Sequence, residues 1–425
     1  MQPVMSFFGM AVLILIALLL SSNYRAINLR TVTGALILQM TMGALVLYVP
    51  LGRRILGSMS QGVANIIAYG NEGISFMFGG LASDRMFELF GSGGFIFAFR
   101  VLPVIVFFSS LIAVLYYLGI MQLMVRLLGG ALHKLLGTSR TESLTATANI
   151  FVGQTEAPLV VRPYVATMTQ SELFAVMSCG LASVAGSVLA GYAQMGVSLE
   201  YLIAASFMAA PGGLLFAKLM VPETEHTRDK EDIASLAAEH TAPANVIDAA
   251  ASGAASGMQL ALNVGAMLLA FTALIALLNG ILGGVGNWLD YPQLSLELLL
   301  GWLFLPIAFL IGVPWHESMV AGSFIGQKIV VNEFVAFMNF SQYLQDDTAV
   351  KAAGLTVLSE HTKAIISFAL CGFANLSSVA VLLGGIGSMA PSRRHDIARF
   401  GIKAVIAGTL SNLMSATIAG FFLAL

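Results

Sequence analysis

The sequence predicts an all-α polytopic membrane protein with eight transmembrane helices and two re-entrant helical hairpins arranged in inverted repeats. Three observations favour this fold. Hydrophobic residues make up 58% of the 425 residues and charged residues only 10%, whereas soluble domains carry about 25% charged residues. Several apolar runs reach the length of about 20 residues that a helix needs to cross a bilayer. A six-residue motif also recurs in the second half of the chain, each time after an interrupted apolar stretch.

Eight apolar stretches have the length of a membrane-spanning helix. They cover residues 3–21, 31–50, 95–125, 170–192, 198–221, 250–284, 362–388 and 399–423. The first is not typical of a signal peptide, because no Lys or Arg precedes Arg25. Two further apolar stretches, 137–168 and 296–343, contain glycines, prolines and carboxylates near their middles. Each of these is predicted to be a re-entrant hairpin, since irregular backbone at membrane depth must be buried in protein or line a cavity.

The charge balance and the cysteines exclude several function classes. The formal net charge is −2, so the chain has no basic field to hold a nucleic acid. Cys179 and Cys371 form neither a disulfide framework nor a CxxC pair. The polar segment from Pro222 to Asp248 contains His226 and His240 among acidic residues. A metal site there is one interpretation, but a solvated connector is favoured.

Two small residues mark the start of the long span that follows the connector. Gly253 and Gly257 are four positions apart, which is the spacing of small-xxx-small helix contacts in membranes. The spacing predicts a close helix contact and suggests a scaffold helix in an oligomer.

The repeated motif relates the two halves of the chain. Residues 179–184 and 371–376 are identical at three of six positions and similar in polarity at the others. An interrupted stretch with a glutamate precedes each copy, Glu156 in the first and Glu333 in the second. Three crossings separate the copies, so they run antiparallel across the membrane. Inverted repeats with broken helices are typical of secondary transporters.

The first interruption has the composition of a hairpin tip. Gly153 permits backbone angles that other residues avoid, and Pro158 suits the first turn of a new helix. Glu156 is then expected near the N-terminus of that helix, where free N–H groups and the helix dipole stabilise negative charge. An ionisable residue at this depth is a functional candidate. The alternative is a surface loop whose glutamate faces water.

The second interruption contains two glutamates with different expected roles. His316 and Glu317 lack the second histidine of a zinc protease motif, so they are interpreted as tip or packing residues. Glu333 lies in an apolar run beside Asn332 and is the better candidate for a ligand contact. A structural ion pair with Lys328 is its alternative.

Further polar side chains follow the second copy of the motif. Asn375 and Ser378 are three positions apart, which predicts that they share one face of a helix. Helix–helix hydrogen bonding is the ordinary interpretation of such residues. Together with two carboxylates and Gln154 they suit a neutral polyhydroxylated solute, and Phe373 could stack on a ring.

Three separate motifs resemble the concentrative nucleoside transporter family. They are Gly153–Leu159 with Arg162–Tyr164, Asn332–Ala336, and Cys371–Asn375 with Ser377 and Ser378. The likeness extends over nearly the whole chain, which resembles the shorter bacterial form of the family. It implies a multi-pass protein of the inner (plasma) membrane that is not an enzyme.

The resemblance implies a homotrimer in which a transport domain moves against a scaffold. On that division, residues 1–130 are mainly scaffold helices with an interfacial segment, and 131–221 form the first transport-domain repeat. Residues 222–295 are a polar connector and a long scaffold helix, and 296–425 form the second repeat.

The resemblance also implies roles for individual residues. Nucleosides such as uridine, cytidine or adenosine would contact Gln154, Thr155, Glu156, Val188, Glu333, Phe373, Asn375 and Ser378. In the family the first hairpin binds the nucleobase, and residues matching Glu333, Asn375 and Ser378 bind the ribose. A sodium ion would lie among Asn149, Val152, Ser183 and Val184, which offer the oxygen ligands that a hard cation prefers.

The function implied is sodium-coupled nucleoside uptake by elevator-type alternating access. Proton coupling is an alternative, with Glu156 or Glu333 as the carrier. A membrane-embedded enzyme is disfavoured because the aspartates, such as Asp346 and Asp396, lie outside the predicted spans, and no histidine lies at a span centre with a serine. A passive channel is the remaining alternative.

Overall fold

The computed structural model describes residues 2–83, 85–90, 94–225 and 243–425, and the secondary structure of these residues is helical. The connector histidines, His226 and His240, lie outside the described residues. The first twelve α-helices are α1 (Gln2–Leu19), α2 (Leu29–Leu47), α3 (Pro50–Phe78), α4 (Arg85–Phe90), α5 (Phe97–Arg100), α6 (Leu102–Tyr117), α7 (Ile120–Leu136), α8 (Arg140–Ala148), α9 (Arg162–Val165), α10 (Gln170–Ala182), α11 (Gly186–Gln194) and α12 (Leu199–Met220). The others are α13 (Val246–Trp288), α14 (Leu296–Leu310), α15 (Trp315–Val330), α16 (Glu333–Ser341), α17 (Asp347–Ala352), α18 (Glu360–Leu370), α19 (Ser378–Met389) and α20 (Arg394–Leu423).

The described helices agree with an all-α membrane fold. Six described helical stretches are long and apolar enough to cross a membrane, two of them formed by the consecutive pairs α5–α6 and α10–α11, and the bent pair α14–α15 would make a seventh span. Predicted span 3–21 falls on a shorter apolar helix. The prediction of one continuous span at 362–388 was wrong, because the chain divides there into α18 and the shorter apolar helix α19. The predicted span 95–125 was too long, because the chain turns at Gly119 (φ +77°) and α7 begins at Ile120.

The small residues of α13 pack this helix closely against α6 of the same chain. A Cβ on Gly253 would lie 2.7 Å from Ser109 O, and one on Gly257 would lie 2.9 Å from the Cα of Val106. Ser110 Oγ also donates a hydrogen bond of 2.9 Å to Ala250 O. The predicted close contact is therefore confirmed, and it joins two helices of the same chain.

The first two helices pack against the centre of the bundle. Helix α1 lies along α20, and α2 lies along α12 and α20. The contact includes a buried hydrogen bond of 2.9 Å from Gln39 Nε2 to Ser415 Oγ. Helices α10, α12 and α20 contact one another and form the core of the molecule.

The chain forms two helical hairpins between its longer helices. Hairpin 1 consists of α8, the non-helical tip at 149–156, a 3-10 helix (Ala157–Val161) and α9. Hairpin 2 consists of α15 and α16, which meet at Val331 and Asn332. The stretch predicted as one long hairpin, 296–343, also contains α14, which is bent by 117° relative to α15.

Each copy of the repeated motif coincides with a helix break. Break 1, residues 183–185, separates α10 from α11, and break 2, residues 371–377, separates α18 from α19. The N–H of Phe373 donates to Ser183 O over 3.1 Å. The two breaks therefore contact each other directly at the centre of the bundle.

Local capping and one ion pair position the base of hairpin 1. Ser139 and Glu142 form a capping box at the start of α8, in which the Ser139 N–H donates to the Glu142 carboxylate over 2.9 Å. The same carboxylate pairs with the buried ammonium of Lys218 on α12. Lys218 also donates to Ser171 Oγ over 2.8 Å, so the base of the hairpin is tied to α10 and α12.

Candidate functional site

The tip of hairpin 2 presents a buried carboxylate. Glu333 is the first residue of α16 and is only 3% exposed. Asn332 precedes it as the N-cap, and its side-chain oxygen accepts from the Val335 N–H over 2.9 Å. The Glu333 carboxylate accepts a hydrogen bond of 2.7 Å from Asn375 Nδ2. Hairpin 2 is thereby joined to break 2.

Asn375 lies in break 2 and not on a helix. Its Oδ1 accepts from the Ser378 N–H over 2.9 Å and from Ser377 Oγ over 2.7 Å. The prediction that Asn375 and Ser378 share one helix face was therefore wrong, since the helix begins only at Ser378. The amide instead caps the start of α19 with its oxygen and holds Glu333 with its nitrogen.

Hairpin 1 completes a continuous line of polar side chains. Gln154 Nε2 donates to Ser378 Oγ over 3.4 Å. The line therefore runs from Glu333 through Asn375 and Ser378 to Gln154. The other amide atom, Gln154 Oε1, is buried and accepts no hydrogen bond from any described residue. It is free to accept one from a ligand.

Gly180 allows the tip of hairpin 1 to lie against α10. A Cβ at position 180 would be 3.0 Å from the Cβ and 3.3 Å from the Cα of Gln154. The glycine in the first copy of the motif therefore has a packing role beside the site.

Glu156 lies where the sequence predicted, at the start of a new helical turn. It is the N-cap of the 3-10 helix whose first turn contains Pro158, and its Oε2 accepts from the Gly153 N–H over 3.3 Å. The side chain is exposed, but it lines a cavity of about 450 Å³ together with Tyr116 of α6 and Ser187 of α11. The glutamate thus faces a space between hairpin 1 and the α6–α13 pair.

The remaining predicted ligand contacts lie in hairpin 1, break 2 and α11. Thr155 abuts α19, because a Cβ on Gly385 would lie 2.6 Å from Thr155 Cγ2. Phe373 is half-buried in break 2. Val188 is buried in the first turn of α11.

The four residues predicted to bind sodium occupy the tip of hairpin 1 and break 1. Asn149 is the C-cap of α8 and Val152 lies in the tip, while Ser183 and Val184 are in the break. The Gly186 N–H donates to the carbonyl of Phe151 over 3.0 Å, which joins the tip to the end of the break.

The chemistry of this donor set fits a hard monovalent cation. Asn149 Nδ2 donates to Thr145 O over 3.0 Å, but Asn149 Oδ1 is buried and accepts no hydrogen bond from the described residues. A buried acceptor without a donor is costly, and a cation would satisfy it. In the described part of the chain no group of three or more His, Cys, Asp or Glu could hold a transition metal.

Lys328 does not form a direct salt bridge with Glu333. Both side chains are described, and the Lys328 ammonium instead donates to Asn412 Oδ1 over 2.6 Å and to Ala369 O over 2.8 Å. Sequence reasoning did not identify Asn412. Its signal was an amide in the middle of the predicted span 399–423, which by itself does not reveal its partners.

Glu317 has a packing role. Its carboxylate accepts from the N–H and the hydroxyl of Ser359 over 3.0 and 2.9 Å, and so joins α15 to the start of α18. The neighbouring His316 side chain is 77% exposed. Neither residue contributes to the polar line.

Three family models match successive parts of the chain. Residues 8–81 match "Na+ dependent nucleoside transporter N-terminus", residues 98–199 match "Nucleoside recognition", and residues 201–420 match "Na+ dependent nucleoside transporter C-terminus". Together these regions include both hairpins and both breaks.

Full-length relatives agree with the family models. Nucleoside permease NupC of Helicobacter pylori is 55% identical over 420 residues, which are 99% of this chain and 98% of that protein. Solute carrier family 28 member 3 of Homo sapiens is 39% identical over 423 residues, 99% of this chain and 60% of that protein.

Solved structures of the transporter CNTnw have the same fold. Its inward-facing substrate-bound state superposes with a TM-score of 0.95 at 64% identity, over 100% of this chain and 98% of that one. A variant of CNTnw in an outward-facing state gives a TM-score of 0.94 at 64% identity, with the same coverage. The protein is accordingly a multi-pass inner-membrane transporter and not an enzyme. These matches, and the site between two hairpins and two breaks, show that the chain belongs to the bacterial branch of the concentrative nucleoside transporter family.

Proposed function

We propose that the protein is a sodium-coupled symporter that concentrates nucleosides such as uridine, cytidine or adenosine in the cell. The observation that carries this proposal is the continuous polar line from Glu333 through Asn375 and Ser378 to Gln154. It joins hairpin 2 to break 2 and hairpin 1 to the start of α19, and it combines a carboxylate, two amides and a hydroxyl. A nucleoside presents hydroxyls at one end and amide-like base edges at the other, so this set matches both ends.

The sugar end of the nucleoside is assigned to hairpin 2 and break 2. The Glu333 carboxylate accepts hydrogen bonds from the ribose hydroxyls, and Asn375 and Ser378 complete the ribose contacts. The Asn375–Glu333 bond of 2.7 Å holds the carboxylate in one orientation before the ligand arrives. Such preorganisation reduces the entropy lost on binding.

The nucleobase is assigned to hairpin 1. Gln154, Thr155 and Glu156 bind its polar edge directly or through water, Val188 lines its side and Phe373 packs against the nucleoside. The unsatisfied Gln154 Oε1 supports this assignment, since a base N–H would supply the missing donor.

Sodium is assigned to the tip of hairpin 1 and break 1. Asn149 and Ser183 supply side-chain oxygens, and Val152 and Val184 supply backbone carbonyls. The unsatisfied Asn149 Oδ1 supports this assignment. By bridging the tip and the break, the cation orders the part of hairpin 1 that carries the nucleobase contacts. Proton coupling through Glu156 or Glu333 is the alternative.

Transport is proposed to proceed by elevator-type alternating access in a homotrimer. The hairpins and broken helices form the transport domain, and outer helices that include α6 and α13 form the scaffold. CNTnw, which is similar over the whole chain, has been solved in inward- and outward-facing states. The cavity beside Glu156 lies at the boundary between the two proposed parts.

Uptake into proteoliposomes tests the function. With an inward sodium gradient, labelled uridine should accumulate above its external concentration, and dissipating the gradient should abolish the accumulation. Adenosine and guanosine measured in parallel define the base preference. Accumulation that follows only a proton gradient would establish the proton alternative. Equilibration without accumulation would indicate a passive channel and contradict symport.

A further inference from the structure

Two buried polar side chains, Lys328 and Asn412, join the proposed ion site to the proposed nucleoside site. They are 1% and 2% exposed and come from α15 of hairpin 2 and from α20. Neither residue belongs to the polar line that carries the proposed function. Helix α20 is unbroken, so Asn412 has a rigid support beside both breaks.

The Asn412 amide bonds to both breaks with the same nitrogen. Its Nδ2 donates to Ala182 O over 2.6 Å and to Cys371 O over 2.8 Å. Ala182 immediately precedes Ser183, a proposed sodium ligand, and Cys371 begins the break that carries Asn375. Carbonyls at the C-terminus of a helix have no partner within that helix. One side chain therefore satisfies the ends of two helices that meet in the middle of the protein.

Lys328 fixes the orientation of this amide. Its ammonium donates to Asn412 Oδ1 over 2.6 Å and to Ala369 O over 2.8 Å. The ammonium can only donate hydrogen bonds, so the amide oxygen has to face it and the amide nitrogen has to point away. Gly372 leaves the space that the amide occupies, since a Cβ there would come into collision with Asn412 Oδ1. The arrangement thus depends on a lysine, an asparagine and a glycine from three different elements.

We propose that Asn412, oriented by Lys328, is a positioning residue that couples sodium binding to nucleoside binding. This inference rests on the proposed function. A cation that orders break 1 fixes the carbonyl of Ala182, and the shared amide nitrogen then fixes the carbonyl of Cys371 and the start of break 2. The backbone bond from Phe373 to Ser183 supports the same linkage. Because coupling between two binding sites is reciprocal, the nucleoside strengthens sodium binding by the same factor.

The test measures the uridine dissociation constant with and without sodium, with potassium as the replacement cation. The purified full-length protein and three variants are titrated calorimetrically. Asn412→Asp keeps the acceptor for Lys328 but places an oxygen against the two carbonyls. Asn412→Ser keeps a neutral side chain, but one hydroxyl can donate to only one carbonyl. Ser415→Ala is the matched control. It removes a buried hydrogen bond between α20 and α2, and this bond involves neither of the two breaks.

The decisive quantity is the ratio of the two dissociation constants. Wild type is expected to show a ratio within the range of about 5- to 150-fold that is usual for coupled sites. The ratio should fall towards one in Asn412→Asp, fall partly in Asn412→Ser and stay at the wild-type value in Ser415→Ala.

A weaker uridine affinity with an unchanged ratio in both Asn412 variants would overturn the inference, because a purely structural defect weakens binding equally in both salts. If Asn412→Asp does not fold, the ratio in Asn412→Ser decides the same question. A wild-type affinity that ignores sodium would instead contradict the sodium coupling in the proposed function, so the two failures are distinguishable.

Discussion

The tips of the two hairpins use similar residues but hold them differently. At hairpin 2, the Glu333 carboxylate is buried and bonded to Asn375. At hairpin 1, Glu156 is exposed to a cavity, and the side-chain oxygens of Gln154 and Asn149 accept no hydrogen bond from the described residues. One tip is therefore preorganised by the protein, whereas the other keeps free acceptors. We infer that ligands order hairpin 1 and bind to an already ordered hairpin 2.

Removing the charge at hairpin 2 should have the largest effect. Glu333→Gln replaces a charged acceptor of hydroxyl hydrogen bonds, each worth about 1.5–3 kcal/mol. Uridine affinity should fall at least about tenfold, because 1.4 kcal/mol corresponds to one decade. Titration calorimetry at saturating sodium measures the change.

Glu317→Gln is the matched control for this prediction. Glu317 is another buried carboxylate of α15–α16, but its partner is Ser359 at the start of α18. Its substitution should lower the melting temperature and leave uridine affinity unchanged. An unaltered affinity in Glu333→Gln would remove that residue from the proposed ribose site.

Removing the free acceptor at the proposed ion site should have the second-largest effect. Asn149→Ala removes one of the proposed oxygen ligands, and the sodium concentration for half-maximal uptake should rise about tenfold, equivalent to roughly 1.4 kcal/mol. Asn149→Asp keeps a side-chain oxygen and adds a charge, so it should retain sodium dependence. Equal sodium dependence in wild type and Asn149→Ala would show that the cation is bound elsewhere.

Two adjacent glycines of α19 test the contact between hairpin 1 and α19. A Cβ on Gly385 would lie 2.6 Å from Thr155 Cγ2, whereas a Cβ on Gly384 would meet nothing within 4 Å. Overpacking costs about 1–3 kcal/mol, and since the Thr155 side chain can rotate, Gly385→Ala should weaken uridine affinity about fivefold. Gly384→Ala should have no effect on affinity. Identical affinities in the two variants would show that this contact does not position the tip.

The smallest effect is expected from the neutral amide of hairpin 1. Gln154→Ala removes hydrogen bonds that are worth about 0.5–1.5 kcal/mol each. Its bond to Ser378 is long at 3.4 Å, so the energy lost should lie at the lower end of this range. We therefore expect uridine affinity to fall about two- to fivefold. A loss larger than that of Glu333→Gln would reverse the proposed difference between the two tips.

Part of the polar line was found from the sequence. Glu333 stood out in an apolar run, whereas Glu156 and Gln154 were identified within the first interruption. The structure brings Glu333 and Gln154 into one polar line, and their contact with a nucleoside stays a prediction. The helical geometry expected for Asn375 and Ser378 was wrong, because the position of a helix break depends on which tertiary partners replace the lost backbone hydrogen bonds. The same reason explains why 296–343 divides into three helices and not into a simple hairpin.

The sequence by itself determined the membrane class, the approximate spans and the two interrupted stretches, since a bilayer imposes length and hydropathy on each segment separately. Only the tertiary structure decided which polar groups meet. Asn412 bonds to Ala182 across 230 positions of the chain and to Cys371 across 41. No local pattern encodes such pairs, because their geometry exists only after distant segments of the chain have packed together.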